Sequence, residues 1–367
     1  MARLTSPEIT ITFIEKGASA IQRSERGVVA LVLKDSALAS GPVITVYSVS
    51  DIPAGLSAAN KKYIQDALTG YQVAPKKVIV YIMTVTEEND LDACYTAMET
   101  YFETHVFDWM AIPTVATDSK ASEIAIWIKG LRSNFHLSRK AVLPNQTADS
   151  EGIVNVTSSL YTADGTEVTP EQTTPRIAGL IAGTPMTIAA TYAPLLDYAD
   201  CTRLTKDQAD EAVGAGKLVY IFDGEKVKLN RAVNSFVTTT DSKGDSFKKI
   251  KLVEIMDMIR DDIHSTLEDS YIGKYANSYD NKCLLITAIN AYFNELIRTG
   301  LLASGYCEID LVAQRNYLQS QGEAVEDMTD QEIKEGNTGS HVFLRAVISI
   351  LDAMEDIQLE IYIYGGR

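Results

Sequence analysis

Two periodicities divide the chain. Alternation with period two puts successive side chains on opposite faces of a strand. It occurs near both ends. Ile9, Ile11 and Phe13 alternate with Thr10 and Thr12, and Ile357, Leu359, Ile361 and Ile363 alternate with Gln358, Glu360 and Tyr362. Strands are also predicted over 27–34, 43–49, 77–85, 107–112, 138–143, 217–222, 226–229, 307–313 and 342–350. Asp223-Gly224 between two of these reads as a type I′ hairpin turn. Helical spacing of apolar residues fills the intervals. It predicts helices over 57–68 with Ser57 as cap, over 88–104 with Cys94, Tyr95, Met98 and Phe102 inward, and to residue 132 with a cap at Asp118 or Ser119.

A long stripe from Phe247 through Ile259 to Tyr271 predicts another helix, ended by Gly273. A second amphipathic helix covers 282–299, and Thr329 to Glu332 reads as a capping box. Residues 152–175 read as a strand pair or exposed loop, followed by a helix to about Gly183. The strand–helix alternation of the first half argues a parallel α/β layer. The second half is helix-rich with a few strands. The expected fold class is therefore α/β, mixed α+β overall. An arm (1–20), an α/β domain (21–225), a C-terminal α+β domain (226–355) and an arm strand (356–367) follow along the chain.

The last strand frames the functional question. The stretch 351–356 before it has no Gly, Pro or Asn for a tight turn. A terminal strand this apolar frays in water unless something holds it. Its home is either the chain's own sheet or another molecule. Fully extended, residues 351–356 span at most about 20 Å, enough to cross a subunit boundary.

Composition narrows the alternatives. The 367 residues are 46% hydrophobic and 22% charged, with a formal net charge of −16. That acidity argues against nucleic acid, which needs a basic face, and against an anionic membrane. Residues 1–10 have no apolar core of a signal peptide, and no run reaches the roughly 20 residues of a membrane span. Cys94, Cys201, Cys283 and Cys307 are scattered without a CxxC pair, so they read as free thiols of a cytoplasmic protein rather than as metal ligands or disulfides.

Motifs for chemistry fail on their neighbours. Gly214-Ala-Gly216-Lys217 lacks the upstream glycine and the Ser or Thr of a phosphate loop, and it leads into a strand. His105, His136, His264 and His341 have no ligand spacing. Asp261-Asp262 diverge on a helix and read as a solvated face. No catalytic residue, metal or cofactor is expected. Lys248, Lys249 and Lys251 form a basic cluster in an acidic chain, either a solvated helix start or a contact with an acidic protein.

Several long stretches resemble contractile tail sheath proteins of bacteriophages and phage-tail-like bacteriocins, in their Gram-positive prophage branch. They are 174–195, 227–236, 247–263, 271–278, the acidic 317–344 and 350–364. The resemblance implies a homo-oligomeric helical sheath around an inner tail tube, capped by baseplate and tail terminator proteins, assembled in the bacterial cytoplasm and carried in a virion tail or tail-like particle. It implies contraction that drives the tube through a target envelope. It also implies that arms of neighbouring copies complete a sheet in the C-terminal domain. On this chain the arms would be Ile9, Ile11 and Phe13, and Ile357, Leu359, Ile361 and Ile363. The receiving positions would be Ile309, Leu311, Val342, Leu344, Ala346 and Ile348, and the lysine cluster would face the tube. The alternatives are a cytoplasmic α/β enzyme binding a small molecule and, less in keeping with so long a chain, a tube or baseplate subunit.

Overall fold

The computed structural model describes residue 21 and residues 26–36, 43–86 and 90–364. The expected N-terminal arm with Ile9, Ile11 and Phe13 lies outside the described residues. The chain divides into two compact units. One contains Asp262–Ile350, the other Ser24–Asp261 with Leu351–Arg367. The division thus falls between Asp261 and Asp262 rather than at 225/226, because residues 226–261 are tied to the larger unit by strand pairing and buried ion pairs.

The strands of the larger unit are β1 (Val28–Lys34), β2 (Val43–Val46), β3 (Lys77–Met83), β4 (Trp109–Ala111), β5 (Lys140–Pro144), β6 (Ile153–Val156), β7 (Leu160–Tyr161), β8 (Glu167–Val168), β9 (Asp200–Cys201), β10 (Lys217–Leu218), β11 (Tyr220–Phe222) and β12 (Val227–Leu229). Seven of them form one sheet in the order β10-β6-β5-β4-β1-β3-β2. All its neighbours are parallel except β2 on β3. The helices are α1 (Ala58–Thr69), α2 (Leu91–Thr104), α3 (Ala121–Ser133), α4 (Pro170–Ala182), α5 (Lys206–Gly214) and α6 (Ile250–Thr266). Strand β1 shows why its sequence is apolar throughout. Val29, Leu31 and Leu33 belong to a core with Ile64 of α1 and Ile177 and Leu180 of α4. Val28, Ala30 and Val32 belong to a second core with Met98 and Phe102 of α2 and Ile124 and Ile128 of α3. A sheet covered on both faces needs apolar residues in both registers.

Local chemistry sets most boundaries. The Ser57 hydroxyl accepts from the Asn60 N–H, and Asp90 caps α2 by accepting from Ala93. The expected cap of α3 does not form. Lys120 stands at its N-cap without a side-chain bond, and Ser119 has φ 60°. Asp118 turns inward instead, accepting from the Tyr95 hydroxyl at 2.9 Å and the Thr114 hydroxyl at 3.0 Å and pairing with Lys34. Helix α4 begins earlier than expected, at Pro170, behind a Thr169–Gln172 capping box. Pro175 inside it cannot donate to the Glu171 carbonyl. The Thr174 hydroxyl does so instead, at 2.7 Å. The β11–β12 hairpin forms, but over a longer loop, 223–226, in which Asp223 accepts from the Glu225 and Lys226 N–H groups.

The smaller unit contains the end of α6, a π turn over Leu267–Tyr271, α7 (Tyr279–Arg298), β13 (Leu302–Ile309), α8 (Leu311–Ser320), α9 (Asp330–Glu335) and β14 (Leu344–Ile350). Strands β13 and β14 pair antiparallel. Helix α7 lies against β13, and a Cβ on Gly305 would come 3.2 Å from Phe293. The predicted strand 307–313 is corrected here: it runs from 302 to 309. Leu311 opens α8, because Asp310 caps that helix by accepting from the Ala313 N–H. Val342 likewise precedes its strand, which starts at Leu344.

Candidate functional site

The segment Leu351–Tyr364 has no secondary structure within this chain. Its alternation is intact but unpartnered: Ile357 is 82%, Ile361 76% and Ile363 90% exposed. Ile357, Leu359, Ile361 and Ile363 thus form an exposed apolar stripe larger than single scattered surface residues make.

The two-stranded sheet of the smaller unit has edges of different character. The Asp310 N–H donates to the Phe343 carbonyl. Opposed residues of an antiparallel pair alternate between exchanging both backbone bonds and exchanging none. The pairs Glu308–Arg345 and Tyr306–Val347 are therefore bonded, and Ile309–Leu344, Cys307–Ala346 and Gly305–Ile348 turn their peptide groups outward. On the β13 side, the Asn290 side chain of α7 plugs that edge. It accepts from the Cys307 N–H at 2.7 Å and donates to the Cys307 carbonyl at 3.1 Å. On the β14 side, the outward peptide groups belong to Leu344, Ala346 and Ile348, and no described strand lies along them. Of the six positions expected to receive an arm, these three share a strand edge. Ile309 sits on the plugged strand, Leu311 on a helix and Val342 before the strand.

A cleft of about 820 Å³ opens beside the start of β14. Tyr271, Ile272, Tyr275, Leu285, Val342 and Leu344 line it. The Asn277 amide nitrogen donates to the carbonyls of Gly339 and His341 at 2.8 and 2.9 Å, while its oxygen is buried without a partner. Lys282 is buried nearby, 3.3 Å from the Thr338 hydroxyl and 3.4 Å from the Gln314 side-chain oxygen, and burial lowers its pKa.

The lysine cluster is not a free cationic patch. Lys249 is held by Glu355 at 2.9 Å and by Asp352. Lys251 is 7% exposed, and burial depresses its pKa. Lys248 pairs with Asp245 at 2.9 Å.

Sequence reasoning missed the buried ion network that binds α6 to the sheet. Lys140 of β5 is fully buried, with its ammonium 2.9 Å from Asp257 and 3.0 Å from Glu254. Arg132 of α3 grips Asp257 in two-pronged fashion at 2.9 and 3.0 Å. Burial pushes the Asp257 pKa up, but the charges of Lys140 and Arg132 outweigh it and hold the carboxyl well below its usual range. Asp261 pairs with Arg26 at 2.7 Å. Asp262 is buried and accepts from the Tyr292 hydroxyl at 2.6 Å. The two aspartates do diverge, but they are not a solvated face. The lone lysine in the apolar run of β5 was the available signal, since a lysine there needs a buried acid.

Cys94, Cys201 and Cys307 are buried free thiols and Cys283 a half-buried one. Burial pushes the Cys201 and Cys307 thiols up to about 11. Among the described residues no group of His, Cys, Asp and Glu could hold a metal ion, and no helix is long and apolar enough to cross a membrane.

A doubly covered parallel sheet, a small α+β unit with one edge that no described strand covers, and an exposed strand-like arm are the features of a structural subunit rather than of a catalytic site. The chain belongs to the phage tail sheath family. Residues 85–235 match the phage tail sheath protein central domain, and residues 242–364 match the phage tail sheath C-terminal domain. It is 39% identical over 359 residues to a tail sheath protein of Clostridium phage phiCD119, covering 96% of this chain and 98% of that one. The fold is shared with the helical sheath of the anti-feeding prophage in its contracted state (TM-score 0.70, 17% identity, 98% of this chain and 99% of that one). It is also shared with a sheath tail protein of Desulfitobacterium hafniense (TM-score 0.68, 19% identity, 83% of this chain and 94% of that one).

Proposed function

We propose that this chain polymerises into a helical sheath by inserting its C-terminal arm, Ile357 to Ile363, along the β14 edge of a neighbouring copy, where Leu344, Ala346 and Ile348 offer their peptide groups. The single observation that carries the reading is the match between an exposed period-two segment that joins no described sheet and a sheet edge along which no described strand lies. Pairing of this kind adds backbone hydrogen bonds and buries alternate side chains. Burying the arm's four apolar residues contributes roughly 6–12 kcal/mol gross, at about 1.5–3 kcal/mol each. Ordering and docking offset much of it. The exchange is heterologous, so it propagates as an open helix rather than closing as a dimer.

Ile9, Ile11 and Phe13 supply the second arm in this scheme. The sheath surrounds an inner tail tube, ends at baseplate and terminator proteins, and assembles in the bacterial cytoplasm. Of the three lysines, Lys248 keeps the tube-facing role, since its pair with Asp245 is exposed whereas Lys251 is buried and Lys249 is held by the buried Glu355. Contraction draws on contacts between subunits, as a structural protein of this family requires, and not on catalysis by an α/β enzyme.

The test is removal of residues 357–367. The truncated chain is expected to remain a soluble monomer by sedimentation, with no tubes in negative-stain micrographs. Sheaths of normal length from the truncated chain would overturn the proposal.

A further inference from the structure

The segment leading into the arm is clamped to the body of its own chain. Glu355 is the centre of the clamp. Its side chain is only 6% exposed. It receives the Lys249 ammonium at 2.9 Å and the Thr191 hydroxyl at 2.5 Å, with the Arg231 guanidinium 3.9 Å away. Asp352 joins from the other side of Lys249, and Asp356 pairs with Arg231. Thr191 is itself fixed, since its hydroxyl oxygen accepts from the Ala232 N–H at 3.1 Å.

Three acids within five residues, 352 to 356, thus meet two cations and a hydroxyl that are far away in sequence. Burial opposes the charge on Lys249, but the hydrogen bonds it donates to Asp352 and Glu355 raise its pKa above the ordinary value. Residues 351–356 are therefore not the free tether of about 20 Å that their length allows. Freedom begins only after Asp356, where the exposed alternation of the arm starts.

We infer that this clamp is a docking determinant: it fixes the root of the arm at the Thr191–Arg231–Lys249 surface, so that the β14 edge of a second copy must seat beside that surface. This rests on the arm-exchange reading above. A pinned root leaves fewer conformations to lose on docking than a free six-residue tether. It also limits how far linked copies can separate, because the bridge is the arm strand alone. The clamp stays closed in the polymer. Its pairs are partly exposed at Lys249, Asp352 and Asp356, so salt screens it.

The experiment uses the full chain. Lys249 and Glu355 are close enough for a zero-length amide, formed between ammonium and carboxylate by a water-soluble carbodiimide. Sheaths co-assembled from nitrogen-15-labelled and unlabelled protein are treated and digested, and the joined peptides are read by mass. The expected result is a Lys249–Glu355 or Lys249–Asp352 link in assembled sheaths, with both peptides carrying the same label. Absence of that link in sheaths when free monomers give it, or peptides of mixed label, would overturn the proposal.

A variant set gives the second readout. Glu355→Ala is expected to raise the concentration needed for assembly about tenfold, measured at a temperature well below the unfolding midpoint of the variant. Glu355→Gln, which keeps the hydrogen-bonding shape, should recover part of it and flatten the salt dependence. Equal assembly by Glu355→Ala and the wild type would overturn the clamp. The 357–367 truncation retains every clamp residue. If that truncation assembles, the arm reading fails; if it does not while Glu355→Ala assembles normally, only the clamp fails.

Discussion

At the residue scale, the fold depends most on a single buried carboxylate. Asp257 is buried between Lys140 and Arg132, and its charge is required because theirs cannot leave. Removing one member of a buried pair costs about 3–5 kcal/mol, since the remaining charge is stranded. Asp257→Asn is expected to lower stability by that order at neutral pH, measured by urea unfolding. The pH dependence follows from the depressed pKa. The stabilisation is complete above the ordinary aspartate pKa of about 3.9 and is lost as acid titrates the folded carboxylate below it. Wild type and Asp257→Asn should therefore converge as pH falls through that range. The partners of Asp257 were not legible in the sequence, because Lys140 and Arg132 are far from it along the chain and only the sheet brings them together.

At the element scale, glycines decide how closely helices approach. A Cβ on Gly179 of α4 would lie 2.1 Å from the Ala67 carbonyl oxygen of α1. Gly179→Ala is expected to cost about 1–3 kcal/mol, as overpacking does. Gly130 of α3 meets only the Asn134 side chain, at 3.9 Å. Gly130→Ala should gain about 0.5–1 kcal/mol from helix propensity. Paired denaturant curves of the two variants check both signs. Elements were read well from sequence where periodicity and caps agreed, as in α1 and α9. They were misread where a local rule met a tertiary competitor. Asp118 gave up a helix cap for a buried triad of partners, and Asp310 converted the apparent strand residue Leu311 into the first residue of a helix. Pro175 was tolerated inside α4 because Thr174 satisfies the carbonyl it leaves open.

At the scale of the whole molecule, the proposed arm exchange separates the residues of assembly from those of folding. The arm's apolar side chains contact solvent in the isolated chain, so changing them leaves the fold intact. Ile361→Asp combined with Ile363→Asp is expected to abolish sheath formation in negative-stain images. The thermal midpoint of the monomer should move by no more than about 0.5 kcal/mol equivalent, as for other surface substitutions. A large loss of monomer stability in that variant would mean that the arm already packs on its own chain. The acidic net charge of −16 keeps free subunits apart, so raised salt should speed assembly through the arms while it weakens the clamp at their root.

The sequence alone determined the parallel α/β layer and the period-two alternation of the terminal segment. These rest on periodicity, which reports the face each residue must bury, and periodicity is local. It also carried the family resemblance, through long patterned stretches in order. Only the tertiary structure decided which edge of the small sheet is plugged, because the Asn290 contact depends on a helix crossing a strand. Only it decided that Lys249 and Lys251 are spoken for and that the segment before the arm is pinned. Those outcomes depend on charges meeting across long sequence separation, where the energy of a pair is set by distance and burial, and neither is written in the order of residues.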